Sequence, residues 1–312
     1  MVTTRGSAME KVGTAMQNGD RRGRIAAQQA AERRAQTRNR LLLAGGAIVV
    51  VVAVVLTFVL LQGNPSSTSA SGPAAPTGAA LANVVGQVTS VPAAALDQVG
   101  PGAADALPKS ISGAPLTSGG KPEMLYVGAE YCPYCAAERW AMIVALSRFG
   151  SFSGLATTRS AATNGAGQAE PFPSTATWTF AHASYASKYL TFTPVEQFTN
   201  VPDKSTGGYT PLMTLTAAQQ ALLQKYDGAN QGAIPFIDYG NKYMSVGASY
   251  DPGVLKGLTW SQIAADLHTP SSPVAQAALG AANYATAAIC GITNDQPATA
   301  CTPAVKALQA KI

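Results

Sequence analysis

Cys132 and Cys135 stand two residues apart in Cys132-Pro133-Tyr134-Cys135, a spacing at which two thiols can interconvert with a disulfide. That chemistry needs one sulfur ionised, because the thiolate is the nucleophile. Met124 to Gly128 is short, apolar and β-prone, whereas Pro133 to about Arg148 is Ala-rich and reads as helix. Cys132 therefore falls at a strand-to-helix junction. There the unpaired N–H groups and the positive end of the helix dipole favour a thiolate, lowering a cysteine pKa from about 8.5 to between about 3.5 and 7.5. Cys132 is the expected nucleophile and Cys135, one turn in, the resolving thiol. Pro133 suits the first helical position, where its missing N–H would have no partner anyway.

Other chemistries fit the pair less well. A static bridge here would close a tiny loop and remove little unfolded-state entropy. A c-type haem site needs His directly after Cys135, where Ala136 stands. A four-cysteine zinc site would need a closer second pair than Cys290 and Cys301, which have ten residues between them. No metal and no cofactor is expected. Cys290 and Cys301 read first as a structural disulfide joining two helices, which would stabilise by about 3 kcal/mol; the alternative is a relay pair exchanging with Cys132. Glu130 and Glu138 bracket the dithiol. A buried carboxylate, Glu130 foremost, could shuttle the Cys135 proton, but both also read as solvated charges at a helix start. Tyr131 and Tyr134 could form a peptide-contact surface or simply pack. His182 and His268 lie far apart and read as structural.

The elements that must position these groups follow from pattern. After strand 124–128 and helix 133–148, strands are expected near 155–160, 177–183 and 189–198, and a helix at 216–226 opened by a capping Thr216. Residues 232–246 read as two strands about a turn at Tyr239-Gly240-Asn241. Helices are expected near 259–267, 273–290 and 303–311. Residues 81–122 read as an apolar, Gly- and Pro-interrupted lead-in with a short helix near 91–96. Pro235 lies in an apolar strand, where proline cannot donate to the ladder. A cis Ile234-Pro235 bond is expected, turning backbone polar groups toward the dithiol, so that Ile234 could hydrogen-bond an extended peptide.

Charge and hydropathy set the surroundings. The chain has 21 Lys plus Arg against 16 Asp plus Glu, but residues 1–40 hold nine basic and three acidic side chains, leaving 12 and 13 for the rest. The basicity belongs to a tail, which argues against nucleic acid as a partner. Leu41 to Leu61 is 21 residues without a charge. At 1.5 Å per residue it can cross the roughly 30 Å of a bilayer core. Arginines 33, 34, 38 and 40 precede it and no Lys or Arg follows until Lys109, which predicts a cytoplasmic N-terminus and an extracytoplasmic remainder. A cleaved signal peptide is the competing reading, but the apolar and leading regions are long for one. Residues 62–80 read as a flexible linker, leaving 81–312 as one outer domain.

Cys-Pro-Tyr-Cys resembles the glutaredoxin active site, and its outer placement with a long insertion resembles the DsbA type of disulfide oxidoreductase. Ala233-Ile234 stands where glutathione-binding members have Thr-Val, and Tyr134 where the DsbA type has histidine. Across about residues 81–312 the chain is also similar to an uncharacterised family of membrane-tethered thioredoxin-like proteins, a domain of unknown function. The carrying segments are Gly128 to Trp140, Ala145 to Gly150, Ser184 to Glu196, Ile234 to Tyr243, Gly247 to Tyr250, Leu258 to Ala264 and Cys290 through Cys301. These resemblances imply an α/β thioredoxin-like fold with an insertion at about 151–230 between the Cys-x-x-Cys helix and the cis-Pro strand, followed by C-terminal helices. The function expected is a membrane-anchored extracytoplasmic thiol-disulfide oxidoreductase. Its partners would be cysteine-containing protein substrates and a membrane redox partner, with Cys132 and Cys135 catalytic and Ile234, Pro235 and Tyr134 contacting substrate. A non-enzymatic scaffold with a closed Cys132–Cys135 bridge is the rival.

Overall fold

A computed structural model describes residues 74–312. The basic tail, the apolar segment 41–61 and the linker up to residue 73 lie outside the described residues. The expected end of the linker is already helical: α1 runs Gly78–Thr89 and α2 Ala93–Val99. Both bury apolar side chains (Val84, Val88, Leu96, Val99) in the main core, so the lead-in is a packed element. Among the described residues no single helix is long and apolar enough to cross a membrane.

A six-stranded mixed sheet forms the centre. Its strands are β1 (Lys109–Ser110), β2 (Thr117–Ser118), β3 (Lys121–Gly128), β8 (Thr191–Glu196), β11 (Phe236–Tyr239) and β12 (Tyr243–Val246). The order is β1-β12-β11-β3-β2, and β8 also pairs with β3. Only β8 runs parallel to β3, with Val127 opposite Val195, whereas β11 is antiparallel to it, with Val127 opposite Phe236. The turn between β11 and β12 is where Gly240 and Asn241 predict it, and both have positive φ.

Period-two alternation along β3 divides the core. Met124 and Tyr126 point into the larger cluster with α3 (Pro133–Ser147) and α6 (Pro273–Ile292), while Leu125 and Val127 point into a smaller one beside α4 (Ala217–Asp227). Every residue of α3 from Cys135 to Leu146 is buried. Such all-round burial leaves no polar face and marks a helix enclosed by neighbours. α6 is its Ala-rich partner, and at Gly280 an added Cβ would lie 2.5 Å from the Pro101 carbonyl oxygen, so glycine permits that contact. Side-chain caps start the helices at Thr216 (α4), Thr259 (α5, Trp260–Asp266), Ser272 (α6) and Thr302 (α7, Pro303–Gln309).

The stretch 151–230 contributes to both the centre and the edge of the domain. β8 belongs to the central sheet, and α4 covers the sheet face opposite α3. Outside the central sheet lie three two-stranded ladders that sequence pattern only partly anticipates: β4 (Gly150–Ser153) with β7 (Ser184–Ser187), β5 (Ala156–Arg159) with β6 (Ala176–Thr179), and β9 (Phe198–Pro202) with β10 (Tyr209–Pro211). β6 is tied to α3, since the Thr177 hydroxyl donates to Ala136 O at 2.7 Å and the Trp140 indole to Ala176 O at 3.0 Å.

Candidate functional site

The strand-to-helix junction puts Cys132 at the N-cap of α3 and Pro133 at its first turn. The Cys132 sulfur accepts the Cys135 backbone N–H at 3.2 Å, doing for the helix end what a Ser or Asp hydroxyl or carboxylate commonly does. The same sulfur lies 3.7 Å from Ile234 O, across from the cis Ile234-Pro235 bond. Cys132, Cys135, Ile234 and Pro235 thus meet at one end of the sheet. Both cysteines are free thiols, Cys132 4% exposed and Cys135 fully buried.

Their acidities are pushed apart. Burial works against ionising Cys132, but its hydrogen bonds with the Cys135 thiol and N–H, together with the Arg139 guanidinium, outweigh it and hold its pKa below the usual thiol range. Cys135 moves the other way: burial, its hydrogen bond to Cys132 and the charge there raise it well above that range, against the pull of Arg139. A nucleophile that ionises first and a resolving thiol that keeps its proton is the division of labour expected from the spacing.

Beneath the dithiol lies a buried ion pair that spacing and composition give no sign of. Arg139, one turn beyond Cys135, binds Glu196 through Nε at 2.9 Å and Nη2 at 2.7 Å, and both side chains are fully buried. Nη2 also donates to Ala129 O at 2.7 Å, tying the junction loop to the helix. A carboxylate whose charge acts on Cys135 is Glu196, 57 residues from its arginine in sequence. Glu130 is half-buried, and its N–H donates to Phe198 O at 2.9 Å. The reading of Glu138 as a solvated charge is corrected: it is 1% exposed and accepts from the Ser249 N–H (2.8 Å) and hydroxyl (3.0 Å), because α3 is enclosed on the side facing the 247–250 loop. Burial pushes its pKa up to about 7 despite those two bonds.

Aromatic side chains rim the mouth. Tyr131 stacks on Tyr209 at 4.0 Å between ring centroids, and Tyr134 meets Phe172 edge-on at 6.1 Å. Tyr134 is 40% exposed, one of only two large apolar or aromatic side chains that exposed among the described residues, the other being Val201. Tyr131 therefore packs, whereas Tyr134 faces outward.

Cys290 and Cys301 are bonded to each other and join the end of α6 to the start of α7. The Arg148 guanidinium, at the C-cap of α3, donates to Ala300 O at 3.0 Å, placing the disulfide beside the end of α3 remote from Cys132. The sixteen residue steps from position 132 to position 148 along this helix span about 24 Å. The staple reading fits this placement, and direct relay to Cys132 does not. Among the described residues no group of three or more His, Cys, Asp or Glu is gathered as a metal site would require.

The family model described as "Domain of unknown function (DUF929)" matches residues 108–291, more than half of the chain. The protein belongs to that family. The match takes in the central sheet, the Cys-x-x-Cys helix, Glu196 and the Ile234-Pro235 loop, and ends one residue past Cys290, before Cys301. No curated protein and no solved structure matches the chain.

Proposed function

We propose that this DUF929 member is a thiol-disulfide oxidoreductase acting on cysteines of other proteins, with a thioredoxin-like frame. The observation that carries the reading is the Cys132 sulfur, which caps α3 with an acidity held above that of a free thiol and lies 3.7 Å from the Ile234 carbonyl. The frame is supported by the order β3, α3, β8, α4, β11, β12, α6, with α3 and α6 on one sheet face and α4 on the other. Residues 41–61 would anchor the domain outside the membrane, where disulfides persist.

In this reading a substrate thiolate attacks the Cys132 sulfur of the oxidised bridge. The new bond joins substrate to Cys132, and Cys135 leaves with the electron pair of the broken S–S bond. A second substrate thiol then attacks the substrate sulfur, releasing Cys132 as a thiolate and leaving a disulfide in the substrate. Reduction of a substrate disulfide is the same sequence reversed. An extended peptide beside Ile234 would present its cysteine to Cys132, with Tyr134 against its flank.

Redox titration of the membrane-bound chain with thiol trapping tests this. Exchange at a potential between about −120 and −270 mV, with Cys135→Ala capturing substrates on Cys132, is the expected result. A bridge still closed below about −300 mV, with no captured substrate, would instead make the domain a scaffold.

A further inference from the structure

Two hydrogen-bond donors under the dithiol are buried and have no partner among the described residues: the Tyr126 hydroxyl and Arg139 Nη1. Both residues are fully buried. An unpaired polar group in such a place destabilises the fold by about 1 to 3 kcal/mol, so its retention calls for a reason. Their location supplies one. The Tyr126 hydroxyl reaches the end of β3 and lies against Gly128, where an added Cβ would come within 2.1 Å of it. The Arg139 guanidinium carbon is 5.9 Å from the Tyr126 ring centroid, and Arg139 is held by Ala129 O, the residue after Gly128. Both donors therefore sit at the base of the turn that carries Cys132 and Cys135.

We propose that the Tyr126 hydroxyl and Arg139 Nη1 receive the Cys135 thiolate when the bridge is opened. The inference rests on the oxidoreductase reading and adds the residues that serve its leaving group. When a substrate thiolate displaces Cys135, a full negative charge appears on a sulfur with no access to water. Glu196 cannot help, because it is itself anionic and its oxygens are committed: Oε1 to Arg139 Nε and the Phe180 N–H, Oε2 to Arg139 Nη2. The charged and titratable groups acting on Cys135 are Cys132, Arg139, Tyr126, Tyr131 and Glu196. Of these, only Arg139 and the two tyrosines can donate a hydrogen bond to a thiolate throughout the thiol range. Burial drives the Tyr126 pKa well above the phenol value, so its proton stays in place as a donor. Tyr131 lies on the outer side, stacked on Tyr209. The donors are preorganised, which is what makes a buried dipole effective for a charge that appears only during reaction.

Tyr126→Phe tests the proposal, because phenylalanine keeps the edge-on contact with Phe180 (5.5 Å) and removes only the hydroxyl. The opening rate of the oxidised bridge by a small thiol is measured in the wild type and in Tyr126→Phe, and the Cys135 titration is followed by thiolate absorbance in a Cys132→Ser background with and without Tyr126→Phe. About a tenfold slower opening and a Cys135 titration raised by about one pH unit are expected, for the loss of one hydrogen bond to a charged sulfur. An unchanged rate and titration, with stability merely increased, would overturn the proposal, as would a slower rate with Cys135 unmoved. If the wild-type bridge does not open at all, the oxidoreductase reading fails, and an unmoved Cys135 titration then rejects the donor role separately.

Discussion

The two cysteine pairs sit at opposite ends of α3, and their surroundings differ in kind. At the N-terminal end Cys132 and Cys135 are free, the Cys132 sulfur accepts the Cys135 N–H, and a buried cation and two unspent donors lie beside them. At the other end Cys290 and Cys301 are closed, beside Arg148, whose guanidinium donates to Ala300 O and feels the charge of Asp97. One pair is free and lies among groups that distinguish thiol from thiolate; the other is already bonded, so the charges near it have no thiol to act on. Proximity in sequence does not decide this: a thiol becomes reactive through what stabilises its charge.

The comparison breaks most sharply at Arg139. Arg139→Leu leaves Glu196 charged, fully buried and without its partner, and is expected to destabilise the domain by about 4 kcal/mol in chemical denaturation. Glu196→Gln, which keeps a hydrogen-bonding group of the same shape, should lose less. If Arg139→Leu unfolds at the same denaturant concentration as the wild type, the buried pair is not organising this end of the helix.

The opposite end should respond in stability alone. The double variant Cys290→Ala, Cys301→Ala opens a loop with a sequence separation of 11 and should lower unfolding free energy by about 3 kcal/mol. Thiol exchange at Cys132 should be unchanged when measured well below the melting temperature. A variant whose exchange falls with its stability intact would show that the remote pair takes part in the chemistry after all.

How much of this could be read in the chain depends on whether the signal is local. The Cys-Pro-Tyr-Cys helix start, the capping Thr216, and the turn at Gly240-Asn241 are written in neighbouring residues, and the structure has them where pattern places them. The sequence pattern does not mark α1, because its Gly, Ala and Val residues straddle the linker and an interrupted apolar lead-in; its helix is justified by Val84 and Val88 packing on the core. The short strands β4, β7, β9 and β10 carry too little alternation to stand out. Glu196 is the single charge of a Thr-rich strand, and Arg139 follows Glu138 in an otherwise apolar helix. Nothing local says that they meet, since pairing across 57 residues is a property of the sheet order. Glu138 failed for a related reason: the helix-start argument supposes a solvated face, and α3 has none.

Glu138 sharpens the contrast within α3 itself. It is the neighbour of Arg139 and equally buried, but it has hydroxyl and amide donors from Ser249 and no cation. Its folded pKa of about 7 lies above the ordinary 4.5, so between those values the native chain holds a proton that the unfolded chain has released. This contribution to stability is full below about pH 4.5 and is lost as pH rises through 7, by about 3 kcal/mol at most. The difference between wild type and Glu138→Gln in urea unfolding isolates it from other carboxylates. It should change by that amount between pH 4.5 and pH 8, with the wild type losing ground at the higher pH. A difference independent of pH would mean that Glu138 stays ionised in the folded chain.

The smallest effect is expected at Lys306, whose ammonium pairs with Asp295 at 2.8 Å across the disulfide loop. In a static picture this bond helps the staple hold α7. Both side chains, however, are more than a third exposed, 48% and 39%, so water screens the charges and two flexible chains must be ordered to bring them together. The loop they bridge is already closed by the Cys290–Cys301 bond, which leaves the ion pair little disorder to suppress. Lys306→Ala should therefore change unfolding free energy by less than about 0.5 kcal/mol, and added salt should erase the difference. The same substitution in the double-alanine background should be no larger, because an open loop must first be ordered before the pair can form. A loss of about 2 kcal/mol in either background would mean that charge, and not the covalent bond, secures the remote end of the helix. The contrast between a chemically active end and a mechanically fixed one would then have to be redrawn around Asp295 and Lys306.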